Sequence, residues 1–249
     1  VSTEGDIQVL DPGFMIGGAE SSVIFACLPR LAMPMLDDKG AWGWVPSDYV
    51  EKINQDDPTH ISFTLKPGFM WSNGQGEVTT DDVKYSFERM LKSDWAARWP
   101  TLDHVDVKDK YSGVIVLKAP FASTFLMGVS SESGAIVPKA AVEKLKDQKY
   151  TTEFPAQCGP YTLASWTPKQ KIVLKANPDW QGTKPVFSEV QFINVEDTSA
   201  AELAFEAGEV MITRSRLGKS LRAAADNPTA ATYMGIDVDR AHRIAFALG

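Results

Sequence analysis

Residues 61–91 constrain the fold of this chain more than any other stretch, because they hold a strand, two turns and a helix in about thirty residues. Ile61, Phe63 and Leu65 alternate with Ser62, Thr64 and Lys66, the period of a strand with one buried face. Pro67-Gly68 and Asn73-Gly74 then supply two turns. Thr79 opens the next element with Asp82 three residues later in capping-box position. Val83, Phe87, Met90 and Leu91 follow at helical spacing, which predicts a helix over 79–91. A chain that changes period so quickly must stack helix on sheet around a shared core.

The rest of the chain repeats that mixture. Val114–Lys118, Tyr161–Trp166, Lys171–Lys175 and Val190–Val195 read as strands, punctuated by Gly159-Pro160 and Asn177-Pro178. Further helices are expected from Pro138 through Leu145, and from Thr198 to Ala207 with Gly208 as the stop. Strands and helices do not alternate strictly, so the expectation is an α/β or α+β body with a mixed sheet. Residues 213–249 carry six basic residues (Arg214, Arg216, Lys219, Arg222, Arg240, Arg243) against three acidic ones (Asp226, Asp237, Asp239). That stretch is positive in a chain whose net charge is -7, and it marks a candidate domain boundary near Thr213.

Catalytic signatures are missing from the sequence. Gly128-Val129-Ser130-Ser131-Glu132-Ser133-Gly134 lacks the glycine spacing of a nucleophile elbow and reads as a small-residue loop. Neither a P-loop nor a dinucleotide fingerprint occurs, and Gly17-Gly18 reads as a flexible pair. Asp37-Asp38, Asp56-Asp57 and Asp81-Asp82 are adjacent in sequence, which suits turns and a helix start better than acid/base work. His60 opens a strand, His104 falls in a polar loop, and neither they nor His242 forms a metal spacing with Cys27 or Cys158. The two cysteines leave a disulfide and a pair of buried thiols as open alternatives. An overall charge of -7 disfavours nucleic acid and anionic lipid surfaces as partners.

Aromatic residues carry more information. Trp42-Gly43-Trp44 and Trp95-Ala96-Ala97-Arg98-Trp99 each place two indoles close together, which suits either a core or a ligand wall. Arg98 between Trp95 and Trp99 is a candidate holder of an anionic group.

In order, several segments resemble the solute-binding proteins of peptide- and nickel-type ABC importers, the oligopeptide/dipeptide-binding branch. They are Gly5-Asp6-Ile7-Gln8-Val9-Leu10-Asp11-Pro12, the stretch Ile61 to Gly74, and Val78-Thr79-Thr80-Asp81-Asp82-Val83. Cys158-Gly159-Pro160-Tyr161-Thr162-Leu163, Asn177-Pro178-Asp179-Trp180 and Ala207-Gly208-Glu209-Val210 follow. The resemblance implies a two-lobe, periplasmic binding protein-like fold (type II) with mixed sheets. On that reading 1–212 is the first lobe with its inserted subdomain, and 213–249 is the crossing segment and start of a second lobe that is largely missing from this sequence.

It also implies a function: capture of a peptide or other small solute (a nickel chelate, oligosaccharide or opine) and delivery to a membrane permease. No cofactor, metal or catalytic residue is then expected, and the protein would act as a monomer. The start of the chain lacks the basic and apolar regions of a signal peptide, which leaves a cytosolic protein or a removed signal open. The resemblance favours the latter, placing the protein in the periplasm or, as a membrane-anchored lipoprotein, outside the cytoplasm. A signalling or chaperone-like receptor on the same fold is the alternative, with a secreted hydrolase further behind. Phe14, Met15, Trp95, Arg98, Trp99, Ser131 and Glu132 lie in loops outside the shared motifs and are the candidate ligand-binding residues of the first lobe.

Overall fold

The computed structural model describes residues 2–3 and 7–194. In chain order it begins with β1 (Ser2–Thr3), α1 (Gly18–Cys27), β2 (Ala32–Leu36), β3 (Trp42–Pro46), β4 (Val50–Asp57), β5 (His60–Leu65) and α2 (Thr80–Met90). It continues with β6 (Leu102–Val107), β7 (Ser112–Leu117), α3 (Lys139–Val142), β8 (Tyr161–Thr167), β9 (Lys171–Ala176) and β10 (Glu189–Asn194). A π-helical turn covers Thr124–Val129, and 3-10 turns cover Ala96–Arg98, Glu132–Gly134 and Lys146–Gln148.

The described residues divide into two compact units, the larger made of 8–163 with 176–185. Its main sheet is antiparallel, in the order β4-β5-β7-β6. The alternation read from the sequence is realised in β5, where Ile61, Phe63 and Leu65 are buried. Ile115 and Leu117 of β7 join them, and α2 covers the layer with Val83, Phe87 and Met90. Gly113 lets that helix approach: a Cβ there would stand 2.7 Å from both the Phe63 ring and the Thr80 methyl. β2 and β3 form a separate hairpin, with Trp44 stacked on Phe125 at 3.8 Å between ring centroids.

The smaller unit is described over 2–3, 7, 164–175 and 186–194. Its sheet runs β1-β10-β9-β8, with β1 parallel to β10 and β10 antiparallel to β9. The expected mixed sheet is therefore found here, whereas the main sheet of the larger unit is purely antiparallel.

Thr79 caps α2 as expected. Its backbone N–H donates to Asp82 Oδ2 at 2.9 Å, and its hydroxyl donates to the same oxygen at 3.1 Å. Three local readings change. The helix expected over Pro138–Leu145 stops at Val142, and the chain turns through left-handed backbone at Asp147 (φ 54°) and Gln148 (φ 51°). His104 lies in β6 opposite Val116 and not in a loop, because Leu102 and Val105 both face the core around a bulge. Gly17-Gly18 is a helix start: the Gly17 N–H donates to Glu20 Oε2 at 3.1 Å, and α1 buries Val23, Ile24 and Cys27. The helix expected over 198–207 and the boundary near Thr213 lie outside the described residues.

Candidate functional site

All seven candidate ligand-binding residues lie in the larger unit. They sit on three segments: the strap before α1, the turn after α2, and the loop that follows the π-helical turn. The strap is anchored by a buried ion pair. Arg89, in the last turn of α2, donates to both oxygens of Asp11 at 2.8 and 2.9 Å. Asp11 is 0% exposed, and it also accepts the Gly13 N–H at 3.0 Å. This geometry fixes the chain just before Phe14, whose half-buried ring carries the Lys149 ammonium at 3.7 Å.

Met15 is buried and ties the strap to the turn after α2, because its carbonyl accepts the Trp95 indole N–H at 3.0 Å. Arg98 lies over the Trp95 ring, 4.2 Å from its centroid, and pairs with Glu132 at 3.0 Å. The side chains of Arg98 and Glu132 keep 25% and 17% of their surface, so the pair is reachable from solvent in this unit. Met15, Trp95, Arg98 and Glu132 thus form one continuous cluster, while Phe14 belongs to the neighbouring group around Arg89 and Lys149.

Trp99 and Ser131 back this cluster from inside. Trp99 is 2% exposed, packs on Phe87 at 4.7 Å and donates its indole N–H to Ser133 Oγ at 3.1 Å. The Ser131 hydroxyl is engaged with the Met127 carbonyl at 2.8 Å and with Ser133 Oγ at 2.8 Å. These bonds hold the loop that presents Glu132. The serine-rich stretch is therefore a built turn, with its hydroxyls occupied by backbone carbonyls and by one another.

Sequence reasoning missed Arg30, which is 1% exposed and lies 3.5 Å above the Phe25 ring. Among the described residues neither of its terminal nitrogens has a hydrogen-bond partner. Burial lowers its pKa, against the opposing influence of Tyr49 and Glu132. The local sequence Leu28-Pro29-Arg30-Leu31 gives only an isolated charge among apolar neighbours as a signal. Ile16, Leu126 and Met127 were also missed; they are exposed apolar side chains adjoining Met15 and the serine loop.

The two cysteines have the second of the alternatives left open above: both are buried free thiols. Their backbones meet where the Cys158 N–H donates to the Cys27 carbonyl at 3.1 Å, satisfying the end of α1. Gly159 makes this approach possible, since a Cβ there would fall 2.1 Å from the Ala26 carbonyl oxygen. Among the described residues no three His, Cys, Asp or Glu side chains are placed to hold a metal, and no described helix is long and apolar enough to cross a membrane.

Comparison with known proteins gives this cluster a context. Residues 45–240 match the family model for bacterial extracellular solute-binding proteins, family 5. Over 219 residues the chain is 30% identical to the probable D,D-dipeptide-binding periplasmic protein DdpA of Escherichia coli (strain K12), covering 85% of this chain and 42% of that protein. The periplasmic oligopeptide-binding protein OppA of Salmonella typhimurium is 24% identical over 233 residues, with the same coverage. Among solved structures, the binding protein MoaA from A. tumefacien R10 in complex with mannopinic acid superposes with a TM-score of 0.73 at 24% identity, covering 91% of this chain and 46% of that one. The unliganded open form of the murein tripeptide-binding protein MppA superposes with a TM-score of 0.72 at 21% identity, covering 92% and 47%. The chain thus spans less than half the length of these relatives, and the matching half has the periplasmic binding protein fold. Its ordered strand, turn and helix motifs and the family match agree: the chain belongs to family 5 of the bacterial extracellular solute-binding proteins.

Proposed function

We propose that this protein is the solute-binding component of an ABC importer, and that it captures a short peptide outside the cytoplasm and passes it to a membrane permease. The observation that carries the reading is the Trp95–Arg98–Glu132 cluster, a partly exposed guanidinium held over an indole and opposite a carboxylate. A guanidinium so placed suits the carboxylate of a peptide, and the neighbouring apolar side chains Ile16 and Met127 suit its body. Phe14, Met15, Trp99 and Ser131 complete the proposed wall, the last two by supporting it. DdpA bears the name of a D,D-dipeptide-binding protein and OppA that of an oligopeptide-binding protein, which supports a peptide as the ligand class.

In this reading residues 1–212 belong to the first lobe and 213–249 lead into the second. Ligand contacts to both lobes favour the closed form over the open one, so capture is a population shift and the solute leaves unchanged. The test is calorimetry on the receptor carrying both lobes, with D-alanyl-D-alanine and a tripeptide as probes. Arg98→Ala and Trp95→Ala are expected to weaken binding at least tenfold, roughly the worth of one charge-assisted contact. Unchanged affinity in both variants removes this cluster from the site.

A further inference from the structure

We propose that Glu132 is a transferable counter-ion, held by Arg98 when the wall is empty and handed to the buried Arg30 when an anionic ligand group takes Arg98. The inference rests on the reading that Arg98 faces the ligand, and three observations support it. Glu132 Oε1 lies 3.0 Å from the Arg98 guanidinium, on a pair that retains solvent access. Arg30 is a fully buried guanidinium, and both of its terminal nitrogens lack a partner among the described residues. The Glu132 loop is fastened to the segment bearing Arg30, because the Ile136 N–H donates to the Pro29 carbonyl at 2.7 Å.

An uncompensated buried charge is costly, and a guanidinium is matched best by a carboxylate. The Phe25 ring, 3.5 Å from the Arg30 guanidinium, gives one face of it a cation–π contact but accepts none of its N–H groups in the plane. Glu132 lies on the loop fastened next to Arg30 by the Ile136–Pro29 bond, and its negative charge favours the ionised guanidinium there. In the proposed handover an arriving ligand carboxylate repels Glu132 from Arg98, and a change of side-chain rotamer turns it toward Arg30. Ser131 and Ser133, bonded to each other and to the Met127 carbonyl, keep the loop backbone in place while the side chain moves. The ligand then competes for Arg98 without leaving Glu132 unpaired. This arrangement makes the wall selective for solutes carrying an anionic group.

The handover can be read without a ligand, in the receptor carrying both lobes, by using Arg98→Met to free Glu132. A double-mutant cycle between Arg30→Met and Glu132→Gln is measured by urea unfolding in the native and Arg98→Met backgrounds. The coupling is expected to be small in the native background and to rise to about tenfold or more in the unfolding equilibrium constant when Arg98 is absent. Equal coupling in the two backgrounds overturns the proposal. To cover the case in which Arg30→Met fails to fold, the second measurement keeps Arg30 intact and follows its ¹⁵N guanidinium resonances. They are expected to shift in Arg98→Met and to stay unshifted in Arg98→Met/Glu132→Gln. Resonances indifferent to Arg98→Met, as when internal water satisfies Arg30, also overturn it. If Arg98→Met abolishes D-alanyl-D-alanine binding by the two-lobe receptor while the Arg30 resonances do not move, the ligand site stands and the handover falls.

Discussion

Removing Arg89 tests how the strap before α1 is held, because the guanidinium supplies two of the bonds that anchor Asp11 beneath it. Arg89→Met deletes the contacts at 2.8 and 2.9 Å. The Asp11 carboxylate, 0% exposed, then keeps only the Gly13 N–H at 3.0 Å and a long contact from the Tyr150 N–H at 3.4 Å. Two charge-assisted hydrogen bonds contribute about 1.5–3 kcal/mol each, and breaking a buried pair from one side costs about 3–5 kcal/mol. With a urea slope of about 2 kcal/mol/M, the midpoint should fall by roughly 2 M. Asp11→Asn in the same chain removes the stranded charge and keeps an acceptor for Gly13. The double variant Asp11→Asn/Arg89→Met should therefore be more stable than Arg89→Met alone. Urea unfolding followed by tryptophan fluorescence reads all three. A loss under about 1 kcal/mol for Arg89→Met, or a double variant as unstable as the sum of the singles, would refute the claim that this pair anchors the strap.

Other expectations follow from the same geometry. Gly159→Ala drives a methyl into the Ala26 carbonyl at the end of α1, where backbone must yield, and should cost about 1–3 kcal/mol in thermal or chemical unfolding. Asp82→Ala removes the acceptor for the Thr79 and Lys139 N–H groups, both at 2.9 Å, and should cost about 2 kcal/mol; a neutral result would mean that the cap is dispensable. Burial pushes the Cys158 thiol up to about 12 and raises Cys27 as well. Native protein should therefore resist thiol-disulfide reagents at pH 8 and react fully once unfolded. The unfolded thiols ionise from about pH 8.5 while the folded ones stay protonated, so this contribution to stability is complete below that pH and declines as pH rises toward 12. Cys158→Ala should flatten the alkaline decline, and an unchanged slope would assign it to other groups.

Local patterning determined much of this protein. The alternation in β5, the capping box at Thr79–Asp82 and the turn residues between them depend on neighbours within a few positions, and the structure realises all three. The same stretch carried the family resemblance, since a strand, turn and helix in fixed order restrict the residues they admit. Tertiary structure decided what depends on distant partners. Gly17-Gly18 looked merely flexible because the acceptor that organises it, Glu20, is itself fixed by the Gln8 N–H from outside the helix. Trp95 and Trp99 are equivalent in sequence, yet one lies beneath Arg98 while the other is enclosed by Phe87, Gly128 and Ser133. Arg30 is only an isolated charge in the sequence, because its burial, with no hydrogen-bond partner for its terminal nitrogens among the described residues, is defined by what surrounds it in space. Periodicity is a property of adjacent residues and can be read from them, whereas burial and pairing are set by contacts between segments tens of residues apart.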